Sequence, residues 1–344
     1  MKIGILTFHD GFNFGAYLQV YSQHKFLLSQ GIENEIINYK NFRHWWEEYK
    51  VFLCTKNPVT LFTNIIKIFK FKKEHDKLKF SKFTFDVSNT DEYDLIIVGS
   101  DEIWNYNNPL FGLDEVYFSK SLKFKKIISY AASFGTVNCD EALNENVKKC
   151  LNSFSSISVR DTNSKCIIEK NLSKKPIMTV DPTFLIEFND LPAISTSNYI
   201  LVYGAGFSDT IIKEAIALSR NKNKQLLSVG YKNKWCDRNI IGIDPFTWMS
   251  YMKNADFIVT TMFHGTMFSV KFRRNFILEL TPYRKNKLVY FLDKFNLDSI
   301  IYNKEKSVED MYNTGINYAD INNKLEDFIK ESKEYLLDNI NELK

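Results

Sequence analysis

Short apolar segments rich in β-branched residues alternate along the chain with segments in which apolar residues recur every three or four positions. This alternation predicts an α/β protein with parallel sheets. In the first half, strands are predicted at Lys2 to Phe8, Glu33 to Tyr39, Tyr93 to Gly99, Lys126 to Gly135, Ile157 to Arg160 and Ile177 to Val180. In the second half they are predicted at Tyr199 to Tyr203, Gln225 to Val229, Ala255 to Thr260 and Phe276 to Leu280.

The pattern is interrupted at residues 187–197, which are polar and lack periodicity, and we interpret them as an interdomain linker. Two Rossmann-like domains are therefore predicted, over residues 1–188 and 198–344, the second ending in a long helix. A cleft between two such domains is the expected place for a ligand. Residues 41–85 form a lysine-rich helical insertion in the first domain. A solvated helical face is the commoner explanation for it, and contact with an anionic membrane surface is the alternative.

Composition narrows the classes of function. The net charge of +4 over 344 residues is too small to indicate nucleic-acid binding. Five scattered cysteines show no metal-ligand spacing, so neither a zinc site nor a disulfide framework is expected. The chain starts with a predicted strand and has no apolar run of membrane-spanning length, which favours a cytoplasmic protein.

Polar residues that could take part in catalysis or ligand binding follow three of the predicted strands. His264, Gly265 and Thr266 lie between the strand Ala255 to Thr260 and a helix predicted at Met267 to Phe272. The first N–H groups of a helix attract anions, and histidine can exchange a proton near neutral pH. The alternative is a histidine that caps a helix inside a folded domain.

The strand Tyr93 to Gly99 runs directly into a second polar cluster, formed by Ser100, Asp101, Glu102, Trp104 and Asn105. Asp101 could take a proton from a sugar hydroxyl, and Trp104 could stack on a sugar ring. Alternatively, Asp101 caps a short helix and Trp104 is a core residue.

Two further candidates come from the first half of the chain. Arg160, at a strand end, could bind a carboxylate or phosphate through two hydrogen bonds, or could form a surface ion pair. Asn13 and Gly15 lie in the loop after the first strand and could let a ligand approach the backbone, or could form a tight turn.

Six segments together resemble the polysaccharide pyruvyl transferase family in order and spacing: NFGAYLQVYSQHKFLLSQG, YDLIIVGSDEIWN, ISYAASFG, SVRD, VDPTFLI and NADFIVTTMFHGTMFSVKF. The resemblance spans essentially the whole chain and implies two Rossmann-like domains in a GT-B-like arrangement. It implies phosphoenolpyruvate as co-substrate, without a cofactor or metal. The acceptor would be a sugar of a cell-surface polysaccharide (a capsule or exopolysaccharide) or of its lipid-linked precursor. The product would be a pyruvate ketal, released with phosphate.

The resemblance also implies roles for individual residues. His264 and Arg160 would contact the donor, Gly265 and Thr266 would donate hydrogen bonds to its anionic groups, and Asn13 and Gly15 would face the cleft. Asp101 would serve as base or acceptor ligand. Many family members have an arginine where this chain has Met262. Three nearby basic residues are candidates to replace this arginine, but they fall at the far end of the next helix: Lys271, Arg273 and Arg274.

Two other functions fit the same sequence. One is a GT-B glycosyltransferase with a nucleotide-sugar donor, which the absent arginine keeps open. The other is a glycan-binding relative without catalytic activity. If the acceptor is lipid-linked, the lysine-rich insertion predicts peripheral contact with the inner face of the membrane.

Overall fold

A computed structural model describes residues 1–110, 112–303 and 306–343. The strands are β1 (Ile3–Leu6), β2 (Glu35–Ile36), β3 (Tyr93–Val98), β4 (Phe124–Ser129), β5 (Ser158–Val159), β6 (Ile177–Met178), β7 (Tyr199–Tyr203), β8 (Gln225–Val229), β9 (Arg238–Ile240), β10 (Phe257–Thr260) and β11 (Phe276–Leu278). The α-helices are α1 (Phe14–Ser29), α2 (Phe42–Leu53), α3 (Pro58–His75), α4 (Glu145–Asn152), α5 (Thr162–Asn171), α6 (Asp209–Asn221), α7 (Pro245–Asn254), α8 (Phe263–Lys271), α9 (Pro282–Lys294), α10 (Val308–Thr314) and α11 (Tyr318–Asn341).

The chain divides into two compact units. The first contains Met1–Cys54, His75–Glu187 and Glu326–Lys344, and the second contains Thr55–Glu74 and Phe188–Leu325. This division differs from the predicted domains at two places, because α3 falls largely in the second unit and most of α11 in the first. Hydrogen bonds explain both differences. Lys70 of α3 donates to the carbonyl of Gly242 at 2.8 Å, and Tyr335 of α11 donates to the carbonyl of Ser129 at 2.9 Å.

Each unit is built on a parallel sheet. The first sheet has the order β2–β1–β3–β4, and single bridges connect β4 to the β5–β6 pair. The second has the order β11–β10–β7–β8–β9. The central strands β1, β7 and β10 are buried along their whole length, which explains why they read as continuous apolar segments. The carboxyl ends of the parallel strands meet at one edge of each sheet, and the candidate residues lie at these edges.

Several local features differ from the sequence-based expectations. Helix α8 begins at Phe263, four residues before its predicted start, and the insertion of residues 41–85 forms two helices, α2 and α3. Cys139 and Cys166 form a disulfide with their Cα atoms 5.8 Å apart, which was not expected because the two are 27 residues apart in the sequence. Among the residues that the structure describes, no helix combines the length and apolar character needed to cross a membrane.

Candidate active site

The first candidate site is a buried ionic cluster at the carboxyl edge of the first sheet. Arg160, which follows β5, donates to Oδ2 of Asp181 at 2.9 Å and to Oδ1 of Asp101 at 3.1 Å. It also donates to the hydroxyl of Ser100 at 3.3 Å. The side chains of Arg160, Asp101 and Asp181 are 3%, 17% and 0% exposed. Only Asp101 is therefore accessible to a substrate to any useful degree.

The opposite charges in this cluster stabilise one another. Burial alone would lower the pKa of Arg160, but the carboxylates of Asp101 and Asp181 raise it above its ordinary value. Asp181 also accepts hydrogen bonds from the backbone N–H and the hydroxyl of Thr183, at 3.1 and 2.7 Å. The guanidinium is thus held by protein carboxylates, whereas the family resemblance implied that it contacts the donor. It is also not the surface ion pair that was the alternative.

The backbone at the end of β3 presents Asp101 in an uncommon conformation. Asp101 has a φ of 82°, in the left-handed region that few residues other than glycine adopt. The preceding Gly99 has a φ of 108°, and a Cβ at that position would lie 2.5 Å from the carbonyl oxygen of Tyr130. Asp101 nevertheless continues the pairing of β3 with the segment after β4, since its carbonyl accepts from Ser133 N–H at 3.0 Å. Such a backbone, fixed on both sides, is often found at functional sites.

The neighbours of Asp101 have mainly structural partners. Ser100 is fully buried and its hydroxyl donates to the carbonyl of Ala131 at 3.0 Å. Glu102 accepts from the side-chain amide of Asn105 at 2.7 Å. Trp104 is fully buried, packs against Phe118, Phe134 and Phe154, and donates its indole N–H to the carbonyl of Tyr117 at 2.8 Å. The prediction that Trp104 stacks on a sugar is therefore wrong, because its ring is enclosed in the core.

The loop before α1 fits the structural alternative that the sequence left open. The side-chain oxygen of Asn13 accepts from the N–H groups of Gly15 and Ala16, at 2.9 and 3.3 Å, and so caps the helix. Gly15 is buried in the first turn of α1. A donor contact for either residue stays a prediction.

The second candidate site lies where β10 leads into α8. His264 is in the first turn of this nine-residue helix and is 9% exposed. Gly265 packs closely on β10, because a Cβ there would lie 2.1 Å from Oγ1 of Thr260. Thr266 is fully buried and its hydroxyl donates to the carbonyl of Met262 at 3.3 Å. The prediction that this hydroxyl faces a bound anion is therefore wrong, whereas the helix N-terminus remains suited to an anion.

The structure also shows which cations accompany His264 in the second unit. Lys271, Arg273 and Arg274 lie at or beyond the C-terminal end of α8, about 12 Å along the helix from its start. Sequence reasoning missed Arg284, in the first turn of α9 after β11, whose guanidinium donates to Thr281 at 3.3 Å. Burial raises the pKa of Tyr203, at the end of β7, well above its usual value, and the charge of Arg284 acts against this rise. Arg284 is thus near the same edge of the sheet as His264.

The described residues contain no group of three or more histidine, cysteine, aspartate or glutamate side chains placed to hold a metal ion. They do contain a carboxylate held by an arginine at the edge of the first sheet, and a histidine at a helix N-terminus at the edge of the second sheet.

Comparison with known structures identifies the fold. UDP-GlcNAc 2-epimerase from Neisseria meningitidis, solved with UDP-GlcNAc, is similar with a TM-score of 0.51 and 10% identity, covering 99% of this chain and 100% of that one. The UDP-GlcNAc 2-epimerase of Methanocaldococcus jannaschii gives a TM-score of 0.48 and 11% identity, with 99% coverage of both chains. No curated protein matches the sequence. The likeness confirms the predicted class, an α/β protein of the GT-B fold with two Rossmann-like units.

A family model gives a more specific assignment than the fold does. The polysaccharide pyruvyl transferase family model matches residues 13–278, which include both candidate sites. The chain therefore belongs to the polysaccharide pyruvyl transferase family, a family of transferases of polysaccharide biosynthesis.

Proposed function

We propose that this protein transfers the pyruvyl unit of phosphoenolpyruvate to a sugar of a cell-surface polysaccharide or of its lipid-linked precursor. The observation that carries the proposal is Asp101, a partly exposed carboxylate held by Arg160 at a sheet edge within the family-matched region. A carboxylate fixed in this way can accept a proton from a sugar hydroxyl. We assign the donor to His264 and the N-terminus of α8 in the second unit, where a phosphate or carboxylate binds favourably.

The proposed reaction balances without a cofactor. Protonation of the methylene carbon of phosphoenolpyruvate gives a methyl group and makes the adjacent carbon electrophilic. A sugar hydroxyl adds to that carbon while Asp101 takes its proton, and the carbon–oxygen bond to phosphate breaks. A second hydroxyl of the same sugar then adds with loss of its proton, which closes the ketal. His264 acts on the donor side, as phosphate ligand or proton donor, and Arg284 supplies a cation there in place of the arginine absent at Met262.

In this proposal Arg160 is a positioning residue. It holds Asp101 through a 3.1 Å hydrogen bond and so keeps the carboxylate of Asp101 in place at the sheet edge. The side chain of Arg160 is only 3% exposed, which leaves little of its surface for direct contact with the donor.

The first experiment measures phosphate release from phosphoenolpyruvate, with and without glycosides of galactose, mannose, glucose and N-acetylhexosamines, lipid-linked where available. Acceptor-dependent release with a matching mass gain on the sugar is expected. His264→Ala should abolish release while circular dichroism and the melting temperature stay close to those of the wild type. Near-normal turnover by His264→Ala would remove the donor-side role. Failure of all acceptors, with thermal stabilisation by a nucleotide sugar instead, would point to a glycosyltransferase.

We also propose that α3 contacts the cytoplasmic membrane surface when the acceptor is lipid-linked. Val59, Phe62 and Phe69 are 70%, 66% and 68% exposed and follow one another at helical spacing, and the exposed Lys72 and Lys73 come next. Cosedimentation with vesicles containing anionic lipid should exceed that with neutral vesicles and should fall for Phe62→Ser/Phe69→Ser. Equal recovery with both vesicle types would refute the contact.

A further inference from the structure

A pocket with aromatic walls lies on the first unit, outside all of the sequence segments that resemble the family. Its cavity of about 480 Å³ falls within the range of about 300–1,000 Å³ that is typical of small-molecule sites. Its lining, here called the aromatic pocket, consists of His9, Asp10, Asn38, Lys40, Trp45, His75, Phe80, Phe83 and Phe85. All of these residues belong to the first unit.

The walls of the aromatic pocket are exposed rings that touch one another. Phe83 and Phe85 are 47% and 48% exposed, and their ring centres are 4.8 Å apart. The ring of Trp45 is next, 6.5 Å from that of Phe85. Neighbouring rings that stay open to solvent give a ligand apolar surface to cover, which isolated exposed residues do not.

Polar atoms lie beside this aromatic surface. The carboxylate of Asp10 and the ammonium of Lys40 are 3.1 Å apart, and Lys40 lies 6.0 Å from the ring centres of both Trp45 and Phe83. Nε2 of His75 is buried and has no hydrogen-bond partner among the described residues. These groups offer both donors and acceptors to a ligand on the rings.

Asp10 and Lys40 form an ion pair in the lining of the aromatic pocket, which disfavours an ionic ligand. Burial would raise the pKa of Asp10, but His9 and Lys40 hold it below its ordinary value, so Asp10 stays an anion beside the Lys40 cation. Burial lowers the pKa of His75 to about 4, so this ring is neutral near pH 7. An anion would have to displace Asp10 from Lys40, whereas a neutral polyol can hydrogen-bond to both.

One wall of the aromatic pocket, at His9, is connected to the Asp101 site. Thr7, just after β1, donates its hydroxyl to the carbonyl of Ser100 at 2.7 Å, which joins the ends of β1 and β3. The ring of His9 then hydrogen-bonds to the carbonyl of Thr7 at 3.1 Å. Residues 80–84, which carry Phe83, pair with β2 and the residues after it, so they lie three strands from β3, roughly 14 Å at about 4.8 Å per strand. A ligand that reaches both the aromatic pocket and Asp101 must therefore be longer than one sugar ring.

We propose that the aromatic pocket binds a neutral hexopyranose unit of the acceptor glycan, further along the glycan from the sugar that reacts at Asp101. Such a ring has an apolar C–H face for Phe83 and Trp45, and hydroxyl groups at its rim for Asp10, Lys40 and His75. The inference rests on the proposed function for its place in the reaction, and on the pocket itself for saccharide binding.

The test compares Phe83→Ala with Ile177→Ala, which truncates a similarly exposed apolar side chain of β6 in the first unit, outside the pocket lining. Saturation-transfer NMR on the full chain would use the methyl glycosides of galactose, mannose, glucose and N-acetylglucosamine, and a disaccharide of each. We expect transfer to ring C–H protons of at least one glycoside, and a dissociation constant about tenfold higher in Phe83→Ala. Ile177→Ala should match the wild type, and Phe83→Trp should restore binding.

The outcomes separate this proposal from the proposed function. If an acceptor is turned over and Phe83→Ala leaves both its KM and its binding unchanged, the aromatic pocket is not a sugar subsite, although the transferase stands. If glycosides bind and Phe83→Ala weakens their binding, but phosphoenolpyruvate is not consumed, the sugar-subsite proposal stands and the transferase proposal fails. If no glycoside gives transfer with the wild type, the pocket proposal is overturned.

Discussion

Replacing Arg160 with methionine is the sharpest test of the Asp101 site. The substitution keeps a long side chain but removes the cation that Asp101 and Asp181 share. Breaking a buried ion pair by removing one partner typically costs about 3–5 kcal/mol, because a buried charge is left uncompensated. Here we expect about 3 kcal/mol, since Asp181 keeps two hydrogen bonds from Thr183 and Asp101 is partly exposed.

Urea unfolding followed by circular dichroism measures this loss. A second substitution, Asp181→Asn, removes the stranded charge and keeps the oxygen that Thr183 needs. Arg160→Met/Asp181→Asn should therefore recover about 1–2 kcal/mol of the free energy of unfolding. Loss of less than about 1 kcal/mol in Arg160→Met, or no recovery in the double variant, would refute the argument that the cluster is an electrostatic unit.

Kinetics then separate positioning from donor binding. If Arg160 acts through Asp101, Arg160→Lys should lower kcat and leave the KM for phosphoenolpyruvate unchanged, because a single ammonium cannot reproduce both guanidinium contacts. A raised KM for phosphoenolpyruvate with an unchanged kcat would instead assign Arg160 to the donor, as the resemblance implied.

Three further predictions concern the other elements. Arg284→Gln should raise the KM for phosphoenolpyruvate at least about tenfold, whereas Arg273→Gln should not; equal effects would remove Arg284 from the donor side. Burial lowers the pKa of His44 to about 4, below that of an unfolded histidine, so the unfolded chain alone gains this proton as the pH falls from about 6.5 to 4. His44 alone should therefore lower the free energy of unfolding by about 2 kcal/mol between about pH 7 and pH 5, in addition to the loss caused by His75. Urea titrations should find the total loss smaller by about this amount in His44→Gln, and an unreduced loss would contradict the argument. Gly265→Ala should cost about 1–3 kcal/mol in the same assay, because its Cβ would meet Thr260, and a neutral result would contradict the close packing.

The sequence predicted the sheets well because their strands are buried on both faces. Segments such as Tyr93–Val98 and Phe257–Thr260 contain apolar residues at nearly every position, which leaves few alternatives. The polar residues directly after these strands were found for the same reason, since parallel strands bring their carboxyl ends to one edge. Asp101 and His264 could thus be located from local sequence alone.

Partners could not be located in this way. The two carboxylates that hold Arg160 come 59 residues before it and 21 residues after it, so that no local pattern connects the three. Arg284 was missed because it follows a different strand from His264, and three nearer basic residues lie at the wrong end of α8. Sequence proximity suggested a cation on α8 itself. The order of the strands in the sheet instead decides which cation lies near His264.

The aromatic residues show the same limit most clearly. Trp104 follows a strand and resembles a ring placed for a sugar, yet long-range contacts with Phe134 and Phe154 enclose it. Trp45 and Phe83 lie in the insertion that read as a solvated helical face, yet the fold leaves their rings open beside Asp10. Whether an aromatic side chain is core or binding surface depends on which distant segments cover it. An acceptor subsite in this protein is therefore better sought among the exposed rings of residues 41–85 than at Trp104.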